Sequence, residues 1–307
     1  MSRWLVTGAS GLLGSNAMHQ LSLVGGVVGS ARTSPASNHL PFISANLEDA
    51  DSRSGLIARS GAEVVLHAAA VASIEACATD PVLARIVNVD AAADLARQAK
   101  AEGAKFIYVS TDAVFNGRRG NYLEEDPTSP TSEYGRTKVS GERAVLDANP
   151  EAMVARVNFY GWSPSGRRSL AEFFYHRLLQ GEQTPGFTDV TVSTLQVGYL
   201  VEALVALASL EARGIVHVAS SEPTTKFDFG RRLADEFGLD ANLVVPGRST
   251  DHLVHDRGSS LSLNTNLATK LLGTPMARQR SGLHRLYEEL NQALPATLRR
   301  LSITTGN

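Results

Sequence analysis

The fold is decided by the stretch Trp4-Leu5-Val6-Thr7-Gly8-Ala9-Ser10-Gly11-Leu12-Leu13-Gly14, in which a short apolar run leads into a turn with three glycines. A helix that begins inside such a turn offers unpaired backbone N–H groups and the positive end of its dipole to a phosphate. Gly8 permits the tight turn, Gly11 lets phosphate oxygens approach the backbone, and Gly14 lets the helix pack closely on the strand. The stretch therefore predicts a strand, a turn and a helix that bind the pyrophosphate of a dinucleotide cofactor. The predicted contacts in this stretch are Gly8, Ser10, Gly11, Leu12, Leu13 and Gly14.

The end of the second predicted strand indicates which nicotinamide cofactor binds. An acidic residue about 20 positions past the glycines would hydrogen-bond the ribose 2′-hydroxyl of NAD. This chain carries Arg32 in that region, and its planar guanidinium suits the 2′-phosphate of NADPH. The sequence therefore favours NADP(H), with NAD(H) as the alternative cofactor. An ordinary solvated arginine is the competing interpretation of Arg32.

Two further segments are predicted to border the cofactor. One follows the third predicted strand, where Asn46 would touch the adenine edge. The other follows the fourth strand, where small side chains leave room for the ribose and the nicotinamide, and where we interpret His67 as a packing residue. The additional predicted contacts are Asn46, Leu47, Ala68, Ala69 and Ala70.

The composition is that of a globular chain that handles small molecules. Of the 307 residues 43% are apolar, and 29 basic against 31 acidic side chains leave no charged footprint for nucleic acid or an anionic membrane. Cys77 is the only cysteine, and nothing at the start of the chain resembles an export signal. No apolar run near the start approaches the roughly 20 residues of a bilayer span. We therefore expect a cytoplasmic protein with no membrane segment and no nucleic-acid partner.

Apolar runs of strand length alternate with helical segments over the first 160 residues, which is typical of βαβ units and a parallel sheet covered on both faces. Past residue 161 this regular alternation of strands and helices ends, and one further strand of the sheet is predicted at Gly214 to Ala219. We predict an α/β fold: a doubly wound (Rossmann) domain over residues 1–160 with a return near 190–220, and a smaller mixed substrate-binding lobe over 161–300. The predicted strands of the first part are Arg3 to Thr7, Val27 to Ala31, Phe42 to Ala45, Glu63 to Ala70, Lys105 to Ser110 and Met153 to Asn158.

Tyr134 and Lys138 are four residues apart in a predicted helix, so both side chains project from one face. A free tyrosine titrates near pH ~10, and a neighbouring ammonium would lower that pKa. Thr111, at the end of the fifth strand, would hold a substrate oxygen, and Lys138 would also bind the nicotinamide ribose. These residues predict a carbonyl-reduction site in which Tyr134 donates a proton. Because adjacent strand residues point to opposite faces, Ser110 is the alternative to Thr111.

These motifs resemble those of the extended short-chain dehydrogenase/reductase superfamily, and within it the dTDP-4-dehydrorhamnose reductase family. The resemblance runs from Leu5 to about Leu290. It implies a dinucleotide domain, a C-terminal lobe for a nucleotide-activated sugar, and reduction of a 4-keto-6-deoxy sugar. Relatives of this kind are often dimers, so it also implies a homodimer. Its most specific stretches are Ser110 to Gly117, Glu124 to Pro127, and Tyr134 to Lys138 with Gly141-Glu142.

The resemblance also implies contacts with the sugar nucleotide. Asn158 matches a position that meets the diphosphate, and the neighbouring loop offers the further candidates Arg167 and Arg168. The chain departs from the family at Ala113, where a tyrosine is usual, and at Val71 to Ile74, where a more polar tract is usual. The predicted substrate contacts are Thr111, Asp112, Asn158, Trp162 and Phe187.

Two other functions stay open. An epimerase or dehydratase on the same scaffold would retain NAD, and a dehydratase would carry an Asp-Glu pair where this chain has Asp112 and Ala113. A non-catalytic cofactor-binding subunit would resemble the methionine adenosyltransferase β-subunit. That last interpretation is disfavoured because Thr111, Tyr134 and Lys138 are all present. We assign no residue to a metal.

Overall fold

The computed structural model describes residues 2–35, 40–249 and 260–301. The strands are β1 (Trp4–Thr7), β2 (Val27–Ala31), β3 (Phe42–Ser44), β4 (Val64–His67), β5 (Lys105–Thr111), β6 (Met153–Val157), β7 (Phe159–Tyr160), β8 (Thr184–Phe187), β9 (Thr191–Val192), β10 (Leu195–Gln196), β11 (Gly214–Val218), β12 (Thr224–Thr225) and β13 (Val244–Gly247).

The helices are α1 (Leu12–Val24), α2 (Ala50–Arg53), α3 (Leu56–Ser60), α4 (Ile74–Thr79), α5 (Pro81–Arg85), α6 (Ala91–Ala101), α7 (Glu133–Ala148), α8 (Leu170–Leu179), α9 (Val197–Ser209), α10 (Lys226–Phe237), α11 (Asn266–Leu272), α12 (Gln279–Asn291) and α13 (Leu294–Arg300). A π-helical turn, Ile86–Asp90, joins α5 to α6. Within the described ranges, none of the helices has the length and apolarity required to traverse a bilayer.

Seven strands form one sheet in the order β11-β6-β5-β4-β1-β2-β3, and every neighbouring pair is parallel. The strand order reverses between β1 and β4. In open α/β sheets the carboxyl ends of the strands at such a reversal form the crevice that binds ligands. The doubly wound α/β fold predicted from the sequence is confirmed, and the crevice lies where the glycine turn leaves β1.

Both faces of the sheet are covered, which explains why its strands read as nearly continuous apolar runs. Trp4 and Val6 pack with α1 and α9 on one face. Leu5, between them, packs with α3, α6 and α7 on the other. Successive residues of one strand thus serve two cores, as the two-residue period of a strand requires.

The fourth strand is shorter than predicted, because it ends at His67 and not at Ala70. Beyond His67 the backbone leaves the ladder, and the N–H of Ala69 donates to the Thr7 hydroxyl at 3.4 Å. The Ala69 backbone packs against Gly8, so close that a Cβ on Gly8 would lie 2.8 Å from the Ala69 Cα. Packing against the glycine turn therefore replaces strand pairing at this point.

The remaining chain is mixed, as predicted. Strands β7 and β10 pair in parallel, as do β8 and β13, and β9 pairs antiparallel with β12. Helices α8, α10, α12 and α13 enclose a separate apolar core. The boundary near residue 160 between two lobes stays a prediction, since α9 and β11 return to the central sheet.

Gly14→Ala is expected to destabilise the fold, because the new Cβ would overlap the carbonyl oxygen of Gly8. Overpacking of this kind costs about 1–3 kcal/mol of unfolding free energy, which urea denaturation measures. Gly26→Ala is the matched control, since its Cβ would approach Arg3 Cγ at an ordinary 3.6 Å. Equal losses in the two variants would contradict the packing role of Gly14.

Candidate active site

The glycine turn presents an open backbone at the start of α1. Gly8 has φ 69°, a conformation that L-residues with side chains rarely adopt. Gly11 is the N-cap of α1, and among the described residues no side chain caps the helix and no acidic residue occupies its first turn. A Cβ on Gly11 would lie 3.1 Å from the Gly8 carbonyl oxygen and 3.9 Å from Arg168 Nη1. Orphan N–H groups beside an open backbone fit a pyrophosphate.

The other residues of the turn differ in what they can offer. Leu12 and Leu13 bury their side chains in the core, so they can present only backbone N–H groups. Ser10 is exposed on the turn. The turn therefore suits an anion bound mainly by the backbone.

Arg32 follows β2, and its side chain is 75% exposed. Its Nη1 lies 3.4 Å from Glu48 Oε1, a carboxylate that the sequence analysis missed. Asn46 is engaged within its own loop, where its Oδ1 accepts from the Glu48 N–H at 3.3 Å. Leu47 buries its side chain in the core. Among the residues predicted around the adenosine, Arg32 is thus the most exposed side chain.

The segment 68–70 borders the turn through its backbone, as described above. His67, just before it, is 1% exposed, and its Nδ1 forms a 2.8 Å hydrogen bond with the Thr7 hydroxyl. Burial lowers the pKa of His67 to about 3, and the Lys138 charge adds to that shift. His67 is therefore a neutral, buried packing residue.

The three predicted catalytic residues meet at the carboxyl end of β5. A side-chain hydrogen bond joins Tyr134 to Thr111. Lys138, one turn further along α7, is 1% exposed, and its Nζ donates to the Val109 carbonyl at 2.7 Å. The same Nζ lies 3.9 Å from the centroid of the Tyr108 ring. The arrangement places a phenol, a hydroxyl and an amine beside the crevice.

Ser110 faces away from this group. Its Oγ donates to Glu142 Oε1 at 2.5 Å, and Glu142 accepts two hydrogen bonds from Arg156, at 3.0 and 2.8 Å. All three side chains are buried. Thr111, and not Ser110, is thus the hydroxyl on the side of Tyr134. The sequence analysis missed Glu142 in this role, although its spacing of four from Lys138 places both on one helix face.

The protonation states differ from the sequence-based expectation. Burial raises the pKa of Tyr134 well above its usual range, against the opposing hydrogen bond of Thr111. Burial also lowers the pKa of Lys138 to about 7, against the opposing charge of Glu142. The expectation that Lys138 lowers the pKa of Tyr134 is therefore wrong for this structure, because desolvation dominates at both groups. A neutral phenol at pH 7 is nevertheless the form that a proton donor requires.

Two of the predicted substrate contacts, Asp112 and Phe187, lie near one missed residue, Lys226. Asn158 Nδ2 donates to Asp112 Oδ2 at 2.6 Å. Burial raises the pKa of Asp112 to about 6, while hydrogen bonds from Asn158 and Thr111 and the charge of Lys226 lower it. Lys226 Nζ lies 5.4 Å from the centroid of the Phe187 ring. Nothing in the sequence marks Lys226, which is the first residue of a helix remote from the catalytic motifs.

Trp162 lies apart from this group, so the structure gives its predicted contact with the substrate no support. Its side chain is 2% exposed, its Nε1 donates to the Leu286 carbonyl at 2.9 Å, and its ring packs edge-on against Tyr175. A tryptophan with a satisfied N–H inside an apolar cluster is a core residue. Arg168, in the loop that follows, lies beside Gly11 instead.

A buried amide that the sequence analysis missed joins the segment after β4 to helix α7. Asn88, in the π-helical turn, donates to the Thr137 hydroxyl and to the Val71 carbonyl, both at 3.0 Å, and accepts from the Val71 N–H at 2.8 Å. The ordinary helical period does not signal a π turn, although such turns are frequent at functional sites. Within the described ranges, no group of three or more His, Cys, Asp or Glu side chains could hold a metal ion.

A Tyr/Lys pair that faces the switch point of a doubly wound sheet is the arrangement found in extended short-chain dehydrogenases/reductases. More narrowly, this chain belongs to the RmlD substrate binding domain family, whose model matches residues 2–292. The resemblance stated from the sequence motifs is confirmed.

Three relatives show the range of this family. The probable low-salt glycan biosynthesis reductase Agl14 of Haloferax volcanii is 34% identical over 244 residues, 78% of this chain and 81% of the relative. A dTDP-4-dehydrorhamnose reductase of Mycobacterium tuberculosis is 32% identical over 290 residues, 92% and 91% of the two chains. Methionine adenosyltransferase 2 subunit beta of Xenopus tropicalis is 31% identical over 264 residues, 80% and 75% of the two chains. The relatives thus include reductases and a subunit of another enzyme.

The solved structure of a dTDP-4-dehydrorhamnose reductase from Bacillus anthracis, in complex with NADP, shares the fold. It superposes with a TM-score of 0.82 at 21% identity and covers 94% of this chain and 99% of its own. The likeness extends over both the sheet and the mixed C-terminal part.

Arg156→Ala would leave Glu142 buried without its partner. We expect a loss of about 3–5 kcal/mol in the free energy of unfolding, measured by urea denaturation. Arg213→Ala is the matched control, because the 2.9 Å ion pair of Arg213 with Glu151 is exposed on both sides and should contribute less than about 1 kcal/mol. A loss at Arg156 no larger than that of the control would contradict the structural role of the buried pair.

Proposed function

We propose that this protein reduces the 4-keto group of a nucleotide-activated 6-deoxy sugar with NADPH. The observation that carries the proposal is the hydrogen bond between Tyr134 and Thr111, next to the buried amine of Lys138, at the carboxyl end of β5. This end of the sheet also holds the glycine turn. The Mycobacterium tuberculosis relative, named for dTDP-4-dehydrorhamnose, supports the substrate class, and the Bacillus anthracis structure, solved with NADP, supports the cofactor.

The side chains of the site handle the proton. Bound NADPH supplies the hydride that reduces the carbonyl carbon. Thr111 holds the carbonyl oxygen with its hydroxyl, and Tyr134 gives its phenolic proton to that oxygen as negative charge develops there. Burial keeps Tyr134 neutral until that step. Lys138 lies one turn away on the same helix face, where it contacts the nicotinamide ribose.

The proposal includes the cofactor contacts that were predicted from the sequence. Backbone N–H groups of the glycine turn bind the pyrophosphate, and Leu12 and Leu13 act only through those groups. Arg32 leaves Glu48 to meet the 2′-phosphate. The segment 68–70 borders the nicotinamide ribose, which Lys138 also contacts.

The substrate lies against Asp112, Asn158 and Phe187, with Lys226 as the cation of the group. A single ammonium beside an aromatic ring suits a nucleoside diphosphate, which brings both negative charge and a flat base. Asp112 and Asn158 are already hydrogen-bonded to each other, so they offer the sugar a fixed pair of polar groups.

A non-catalytic subunit is the second candidate, because the Xenopus tropicalis relative is named as a subunit of methionine adenosyltransferase 2. The hydrogen-bonded Tyr134 and Thr111 favour the enzyme. The epimerase or dehydratase alternative is disfavoured by Arg32 and by Ala113 beside Asp112. A cytoplasmic location and a homodimer stay predictions from the sequence.

Tyr134→Phe is expected to lower kcat for NADPH oxidation at least about 100-fold, because the variant has no proton to donate. Its dissociation constant for NADPH should change by less than about threefold, since the phenyl ring remains. The assay follows NADPH absorbance with dTDP-, GDP- and UDP-linked 4-keto-6-deoxy sugars.

Tyr287→Phe is the matched control for this substitution, because Tyr287 is a partly exposed tyrosine on α12 that should leave kcat unchanged. Wild-type protein that binds NADPH but reduces none of these sugars would sink the reductase proposal and favour the non-catalytic subunit.

Arg32→Ala is expected to abolish a preference for NADPH over NADH. At equal concentrations NADPH should raise the melting temperature of the wild type more than NADH does, because binding to the folded state stabilises it. Arg97→Ala, which removes another exposed arginine with an acidic partner, should leave the preference intact. Equal shifts with both cofactors in the wild type would contradict the NADPH assignment.

A further inference from the structure

Arg168 approaches the glycine turn from a distant part of the chain. Its Nη1 lies 3.9 Å from the point where a Cβ of Gly11 would stand. That point is the open face of the turn, where the second glycine lets a pyrophosphate approach the backbone. We propose that Arg168 binds the diphosphate bridge of the nicotinamide cofactor from the side opposite the turn. The inference rests on the proposed function in one respect, namely that the turn binds such a cofactor.

The backbone of Arg168 is fixed by a buried carboxylate. Glu172, 1% exposed, accepts from the N–H of Arg168 at 2.7 Å and from the N–H of Ser169 at 3.1 Å. It also accepts from the N–H and the hydroxyl of Ser163, at 2.6 and 2.9 Å. Hydrogen bonds to an ionised acceptor are the strong ones. Four of them on one carboxylate hold the two ends of the loop 163–169 together.

A second buried group joins this loop to the glycine turn. Asn16, 1% exposed, donates through Nδ2 to the carbonyls of Leu12 and Trp162, both at 2.8 Å. Leu12 begins α1, and Trp162 directly precedes the loop. The amide therefore fixes the base of the loop against the start of the helix. Buried contacts at both ends thus determine where Arg168 stands relative to Gly11.

The positive charge of Arg168 is suited to binding a diphosphate at this position. Within the described ranges no carboxylate lies within ion-pair distance of its guanidinium, and the first turn of α1 holds no acidic residue. A diphosphate bridge carries negative charge on both phosphates, and the planar fork of a guanidinium can donate to both. The helix dipole at Gly11 favours an anion from the opposite side.

This placement separates Arg168 from Arg32 by function. The diphosphate bridge occurs in both NADPH and NADH, whereas the 2′-phosphate occurs only in NADPH. Arg168 therefore contributes equally to the binding of both cofactors, and Arg32 contributes to NADPH alone. The neighbouring Arg167 is also exposed, but in the described structure it is not among the groups that approach Gly11.

Calorimetric titration of the full chain with NADPH and with NADH tests the inference. Arg168→Gln should raise both dissociation constants by a similar factor of about 10, the effect of losing one charge-assisted hydrogen bond. Arg168→Lys should recover part of the loss, because it keeps the charge without the fork. Arg167→Gln, the matched control, should stay within about twofold of the wild type for both cofactors. Added NaCl should weaken binding less in Arg168→Gln than in the wild type.

Unchanged dissociation constants in Arg168→Gln would overturn the inference. A loss confined to NADPH would also overturn it, because it would place the guanidinium at the 2′-phosphate. A loss confined to binding of dTDP, titrated separately, would place it at the sugar nucleotide and would equally overturn it. The melting temperature without cofactor should not change, since the side chain is exposed. The proposed function fails by a different result, which is wild-type protein that binds NADPH but reduces none of the 4-keto-6-deoxy sugars; wild-type protein that binds neither NADPH nor NADH would overturn both proposals.

Discussion

The buried ion pair of Glu142 and Arg156 determines the arrangement of everything around it. Glu142 lies on α7 and Arg156 on β6, while Ser110, which donates to Glu142, lies on β5. The pair therefore joins helix α7, which carries Tyr134 and Lys138, to two central strands. Once Ser110 is held on that side, the two-residue period of β5 turns Thr111 toward Tyr134. Two buried charges are tolerated only when each is well hydrogen-bonded. The positions of Glu142, Arg156 and Ser110 relative to one another are therefore closely fixed.

Desolvation sets the chemistry of the crevice. The same burial that keeps Tyr134 protonated lowers the pKa of Lys138 to about 7 and raises that of Asp112 to about 6. All three shifts favour the uncharged form. The burial that causes these shifts would also strengthen the hydrogen bonds that Thr111 and Tyr134 are proposed to give to negative charge on a substrate oxygen.

Local sequence patterns predicted those features of this protein that depend on residues adjacent in sequence. The glycine turn, the strands and the spacing of Tyr134 and Lys138 are of this kind, because backbone conformation and helix period act over a few residues. The contacts made by Lys226 and Arg168 join segments far apart in sequence, and no local pattern encodes them. Trp162 shows the limit of such a pattern, since an aromatic residue near a site motif packs equally well in a core. The early end of β4 was missed because three alanines suit a strand and a tight packing contact alike.

The edge strand β11 has a consequence for how the chain can be divided. It comes from residues 214–218, yet it completes the sheet by pairing along the whole of β6. A fragment that stopped before it would leave β6 as an unprotected edge, open to pairing with other chains. The N-terminal part of the chain therefore needs β11 to complete its sheet. A chimaera that exchanges the N-terminal part between relatives must include β11 with it.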